Sequence, residues 1–262
     1  MKKGLLIVLT LCICMMAHAQ QESQTLVIEQ NAEMISVDPQ GNIYAVNDAT
    51  LYKYAPDGNL LHSYNNNLLG HISSIDVDNP LKIMLFYREA GTILFLNDKL
   101  SPIGNSVDLF SKELTTITLA TYSTKNELIL YDESNTDLIL LDFYFREKER
   151  IHYDFQDLHP IQLKDVNEKM IVLQDLQQGF FFFDNFGTFI TGSATILDQP
   201  AQIIDGGIVY VKDNYLNIYN FWRLDLQRQC EVPEEVKQVL VYQDKIIFLE
   251  EKTIKIMHRK TN

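Results

Sequence analysis

Six positions along the chain repeat one kind of chemistry. Asp48, Arg88 with Glu89, Asp132 with Glu133, Asp175, Asp213 and Glu250 with Glu251 each follow a short apolar run, at intervals of roughly 40 residues. Carboxylates gathered into a ring would make a funnel for a cation, with room for a divalent ion at its centre. His71 and His159 could add imidazoles, and Arg88 adds a fixed positive charge. These eight positions (Asp48, His71, Arg88, Asp132, His159, Asp175, Asp213 and Glu250) are the candidate ligand-binding residues.

Turn formation is the competing use for the same acids. Asp and Asn open tight turns because their side chains accept hydrogen bonds from backbone amides just ahead. Asp48 before Ala49, Asp175 before Leu176 and Asp213 before Asn214 all fit that role. As ligand-binding residues at surface turns, Asp132→Ala and Asp175→Ala should alter any ligand response while costing only about 1 kcal/mol of stability, and a loss of several kcal/mol would mark them as structural. Neither His71 nor His159 has a His-x-His or His-Glu-x-x-His partner. The sequence has no Gly-x-Ser-x-Gly elbow, no phosphate loop and no Cys-x-x-Cys pair. Cys230 falls in a strand with no histidine beside it and reads as structural. Trp222 falls in a turn, where packing beneath the strands is the expected role and anchoring a partner the alternative.

The elements that must hold these residues repeat with them. Paired β-rich runs begin at Ile43, Ile83, Leu128, Met170, Ile208 and Ile246, with second members beginning at Leu51, Ile93, Leu138, Phe180, Leu216 and Ile254. Both ladders keep a period of about 41, the spacing of propeller blades. A third run precedes each pair: Met34–Val37, Ser74–Val77, Ile117–Ala120, Ile161–Leu163, Ala201–Ile204 and Val239–Tyr242. Turns such as Pro56, Asp57, Gly58 and Asn59 lead on to fourth strands at Leu60–Tyr64, Ile103–Val107, Glu149–Tyr153, Thr188–Thr191 and Leu224–Cys230. Only Pro233–Lys237 suggests a helical turn. The runs Leu138–Leu141 and Phe180–Phe183 do not alternate with polar residues, as expected of strands covered on both faces. The expected fold is therefore all-β: a six-bladed β-propeller of four-stranded antiparallel blades. The sixth unit lacks a fourth strand, and Thr25–Gln30 is a strand without a blade. Pairing the two closes the ring and removes an open sheet edge.

The first 19 residues have the form of an export signal. Lys2 and Lys3 precede an apolar run from Gly4 to Met16, and Ala17, His18 and Ala19 supply a small-x-small cleavage site. The run is shorter than the roughly 20 residues that span a bilayer. Leu11 and Ile13 stand where a lipobox needs small residues before Cys12 and Cys14. The expected organisation is a signal peptide over 1–19 and one propeller domain over 20–262, in the periplasm or outside the cell. Cleavage would leave Cys230 as the one cysteine, so no internal disulfide contributes to stability.

Composition narrows the partners. Asp and Glu number 35 against 22 Lys and Arg, for a net charge of −13. That balance argues against nucleic acid and against anionic lipid, both of which need clustered bases. An apolar share of 46% excludes disorder, and 11 Gly with 7 Pro excludes collagen-like sequence. No later stretch is long enough to span a membrane.

Val37 to Val46, reading VDPQGNIYAV, resembles the inner hairpin of NHL-type and SMP-30-like six-bladed propellers, and Tyr52 to Gly58 resembles their outer hairpin. The likeness is strong in the first repeat and degenerate in the other five. It is similar to many exported six-bladed propellers of Bacteroidota-type bacteria. The resemblance implies architecture more than activity, because propellers host enzymes and binding scaffolds alike. SMP-30-like lactonases hold a divalent cation through Glu, Asn and Asp on channel-facing inner strands. The corresponding strands here offer Asp76, Asp78 and Asp165 without that family's motifs. The expected function is a non-catalytic scaffold, without a required cofactor, that binds a protein or peptide in the bacterial cell envelope. A metal-dependent hydrolase or lyase using the acidic face is the alternative, and a sugar-binding module a third reading.

Overall fold

A computed structural model describes residues 25–258, except Thr124, Asp198, Trp222 and Leu224. The expected signal peptide, Cys12, Cys14 and Trp222 therefore lie outside the described residues. Six four-stranded antiparallel sheets follow one another along the chain. Their innermost strands are Met34–Val37, Ser74–Asp76, Ile117–Tyr122, Pro160–Val166, Gln202–Ile204 and Gln238–Tyr242, and these define blades 1 to 6. The chain is a six-bladed β-propeller.

Closure follows the strand count. Leu26–Glu29 pairs antiparallel with Thr253–His258, placing Leu26 opposite Ile256 and Glu29 opposite Thr253. Ile28 turns into the core while Val27, one residue away, is exposed, the alternation that a strand requires. The N-terminal strand is thus the outer strand of blade 6.

Packing explains the runs that lack polar alternation. Ile139 and Leu141 enter the cluster between blades 2 and 3, whereas Leu138 and Leu140 enter the one between blades 3 and 4. Phe180 and Phe182 face blade 5, and Phe183 faces blade 3. Each of the six blade interfaces has such a cluster among the described residues. The core is a ring of interfaces, so a middle strand meets apolar neighbours on both sides.

Two local expectations need correction. The outer strand of blade 2 is only Val107–Asp108, because Gly104 takes a positive φ of 66° and the chain bulges from Gly104 to Ser106 before pairing resumes. Pro233–Lys237 forms a turn and not a helix; the helical turn of the described residues is Phe110–Lys112. The outer strand of blade 5 is described over Asp225–Glu231, with the expected first residue Leu224 outside the described residues, and it carries the half-buried Cys230 against the cluster between blades 5 and 6. Among the described residues no helix is long and apolar enough to cross a membrane.

Candidate functional site

Strands alternate in direction, so the loops into the inner strands and those joining second to third strands share one face, here called the upper face. The turns joining first to second and third to fourth strands share the lower face. The eight predicted residues lie on the upper face, but their side chains divide into separate groups.

One group bridges blades 2, 3 and 4. Arg88 approaches Glu133 at 3.7 Å, and Glu133 meets His159 Nδ1 at 2.7 Å. The His159 backbone N–H donates to Asp175 Oδ2 at 2.7 Å. The hydrogen bond that His159 donates to Glu133 holds the imidazole above the ordinary histidine range. A second group joins His71 to Glu33 at 3.5 Å and to Asp48 at 3.8 Å. Asp213 and Glu250 stand apart from both: Asp213 begins a left-handed hairpin turn, and Glu250 accepts hydrogen bonds from Thr253 and Lys255.

Turn chemistry absorbs the other carboxylates. Asp132 accepts two hydrogen bonds from Asn135, and Asp175 Oδ1 accepts the backbone N–H groups of Gln177 and Gln178. Both aspartates are buried, with 3% and 1% of their surface exposed. The expectation of a cheap surface truncation is therefore corrected. Among the described residues, no three His, Cys, Asp or Glu side chains converge in a way that could hold a metal ion.

The axial channel carries a group that the pattern of acids did not disclose. It encloses about 280 Å³ between the six inner strands. Lys164 of blade 4 reaches across to blade 2, placing Nζ 2.7 Å from Asp78 and 3.6 Å from Asp76. Asp76 Oδ2 also accepts hydrogen bonds from the Thr121 hydroxyl at 2.6 Å and the Tyr122 backbone N–H at 3.3 Å, both of blade 3. Burial works against the charge on Lys164, but the carboxylates of Asp76 and Asp78 outweigh it and hold the ammonium above the ordinary lysine range. Asp165, the third inner-strand acid, is buried, and its carboxyl is pushed up to about 6 by that burial.

Glutamines fasten neighbouring blades to one another near the channel. Gln238 accepts from Ile35 N–H at 2.8 Å and donates to Ile35 C=O at 3.0 Å. Gln202 treats Val241 the same way, at 2.7 and 3.1 Å. Gln174 accepts from Ala201 N–H and donates to the Gln199 carbonyl. A primary amide presents a donor and an acceptor side by side, as a β-ladder residue does, so it can extend pairing across a blade gap. Repeated glutamine at the head of inner strands, in Ala201-Gln202-Ile203 and Lys237-Gln238-Val239, was the available signal.

The lower face bears exposed aromatics that the sequence reading passed over. Phe143 and Tyr144, in the third-to-fourth turn of blade 3, are 56% and 69% exposed, and Phe186 in the matching turn of blade 4 is 65% exposed. Leu81, in the first turn of blade 2, is 67% exposed on the same side. Beside them a groove of about 530 Å³ is lined by Lys82, Lys112, Phe143 and Tyr144. Lys82 lies against the rings of Phe95, Tyr122 and Phe143, at 4.5, 4.3 and 5.6 Å from their centres. Arg146 stacks on Tyr144 at 5.0 Å.

Known proteins match this shape and not this sequence. No family model and no curated protein matches the chain. A catalytically inactive virginiamycin B lyase from Staphylococcus aureus, solved with quinupristin, superposes with a TM-score of 0.65 at 10% identity, over 90% of this chain and 99% of the other. The WD40 domain of Neurospora crassa Pan2 superposes with a TM-score of 0.64 at 9% identity, over 89% and 90%. At such identities the likeness is one of fold.

Proposed function

We propose that the chain is an exported β-propeller that binds a protein or peptide partner in the bacterial cell envelope, and that the lower face of blades 2 to 4 is its docking surface. The observation that carries this reading is the row Leu81, Phe143, Tyr144 and Phe186, exposed on adjacent blades. Exposed aromatics grouped in this way are the usual anchors of protein interfaces. Lys82 stands beside them, with Arg146 held between Tyr144 and Asp142, in a chain of net charge −13. The preferred partner segment therefore carries a carboxylate next to an apolar side chain. Export rests on the basic, apolar and small-x-small succession of residues 1–19, with 20–262 as the mature propeller domain.

Affinity purification of the mature protein from envelope extracts tests the reading, with the triple variant Phe143→Ser, Tyr144→Ser, Phe186→Ser beside it. One reproducible partner held by the parent and lost from the variant is the expected result. A partner held equally by both would place docking elsewhere on the ring.

A further inference from the structure

We propose that the groove beside Phe143, between blades 2 and 3, is a binding site for a small monocarboxylate with an apolar body. Its volume, about 530 Å³, falls within the roughly 300–1,000 Å³ typical of small-ligand sites.

The charge on Lys82 selects the anion. Its Nζ is drawn in among the rings of Phe95, Tyr122 and Phe143, and it donates a hydrogen bond to the Tyr122 hydroxyl. That phenol supplies no counter-charge: burial pushes it up to about 12, and its own proton goes to Asn126 Oδ1 at 3.0 Å. Among the described residues no carboxylate forms an ion pair with Lys82. Burial accordingly pulls its ammonium below the ordinary lysine range. Lys164 shows the opposite outcome, because Asp76 and Asp78 outweigh its burial. The rings offset part of the hydration that Lys82 loses, yet only one of its three N–H donors has a partner. A carboxylate from the groove would take up the others and supply the missing charge.

The walls set the rest of the ligand. Phe145, stacked on Phe95 at 5.8 Å, and the exposed ring of Phe143 line the groove beside Lys82 and suit an apolar body. Lys112 adds a second positive charge, and Asp108 is the acid of the lining. A second carboxylate on the ligand would meet Asp108 and a chain of net charge −13, so one negative charge is preferred. The site shares Lys82 and Phe143 with the docking face but does not rest on that reading.

Calorimetry and ligand-observed NMR on the mature protein test the assignment. The probes are 4-phenylbutyrate and octanoate, with 4-phenylbutanamide as the neutral counterpart and phenylsuccinate as the dianion. At least one monocarboxylate is expected to bind one per chain with Kd near or below about 1 mM, with the amide and the dianion at least tenfold weaker. Lys82→Met should weaken the monocarboxylate tenfold or more while melting no lower than the parent, since it no longer buries an unpaired charge. Lys212→Met, which removes an exposed charge elsewhere, should bind as the parent does. Absence of binding by both monocarboxylates, or equal binding of the amide, would overturn the proposal on the parent protein alone. Equal affinities of Lys82→Met and Lys212→Met would overturn it as well. Either result leaves the docking face, which partner capture tests separately, untouched.

Discussion

The side-chain amide of Gln238 closes on both backbone polar groups of Ile35, 203 residues earlier in the chain. It therefore seals the inner rim of the ring where blade 6 meets blade 1, while Leu26–Glu29 seals the outer edge of blade 6. Gln238→Met should strip Ile35 of both partners and cost about 1–3 kcal/mol in denaturant unfolding. Gln238→Glu should do no better, because an ionised carboxylate cannot donate to the Ile35 carbonyl.

Removing residues 20–30 should leave Thr253–His258 as an open edge, lowering the melting temperature and promoting aggregation. Removing residues 259–262, beyond the last strand, should change melting much less. Differential scanning calorimetry on both truncations beside the mature chain checks this. Equal melting temperatures would deny the N-terminal strand its role in closure.

How far the sequence disclosed this fold can be judged from particular strands. The six hairpins were legible because each middle strand is apolar on both faces and bounded by turn residues; Leu138–Leu141 and Phe180–Phe183 are the clearest cases. The outer strand of blade 2 was misplaced because its pairing depends on the bulge at Gly104–Ser106, which no periodicity records. The upper-face acids were found by their spacing, yet spacing could not show that Asp132 and Asp175 spend their oxygens on neighbouring turns. Lys164 was invisible for a different reason. Its partners Asp76 and Asp78 lie more than 80 residues away in sequence and meet it only across the channel.

Asp175 is 1% exposed and accepts three backbone N–H groups, from His159, Gln177 and Gln178. Asp175→Ala should therefore cost about 3 kcal/mol in equilibrium unfolding, since hydrogen bonds to a buried charge are worth more than neutral ones. A loss below about 1 kcal/mol would return it to the class of surface turn residues.

Asp165 gives the stability a pH dependence of definite sign. Burial raises its folded carboxyl to about 6 from 3.8, despite a backbone hydrogen bond from Glu168 and with Asp76 adding to the rise. Between pH 4 and 6 the unfolded chain releases this proton while the folded chain keeps it, so the contribution to stability falls as pH rises. Above 6 the full penalty applies, about 3 kcal/mol at 1.36 kcal/mol per pH unit. Asp165→Asn should thus be more stable than the parent at pH 7.5, with the advantage gone near pH 4. Urea unfolding at both pH values measures it; an equal difference at the two would contradict the assignment.

Site-specific photo-crosslinking in cells tests the proposed docking face most directly. A photoreactive residue at Tyr144 or Phe186 on the lower face is compared with one at Asp213 on the upper face, in the protein expressed with its own N-terminus. The expected result is a single discrete adduct from both lower-face positions, recovered from the envelope fraction and absent from the Asp213 sample. Adducts only from Asp213, or none from Tyr144 and Phe186 at matched expression, would contradict the account of a propeller that docks an envelope partner through blades 2 to 4.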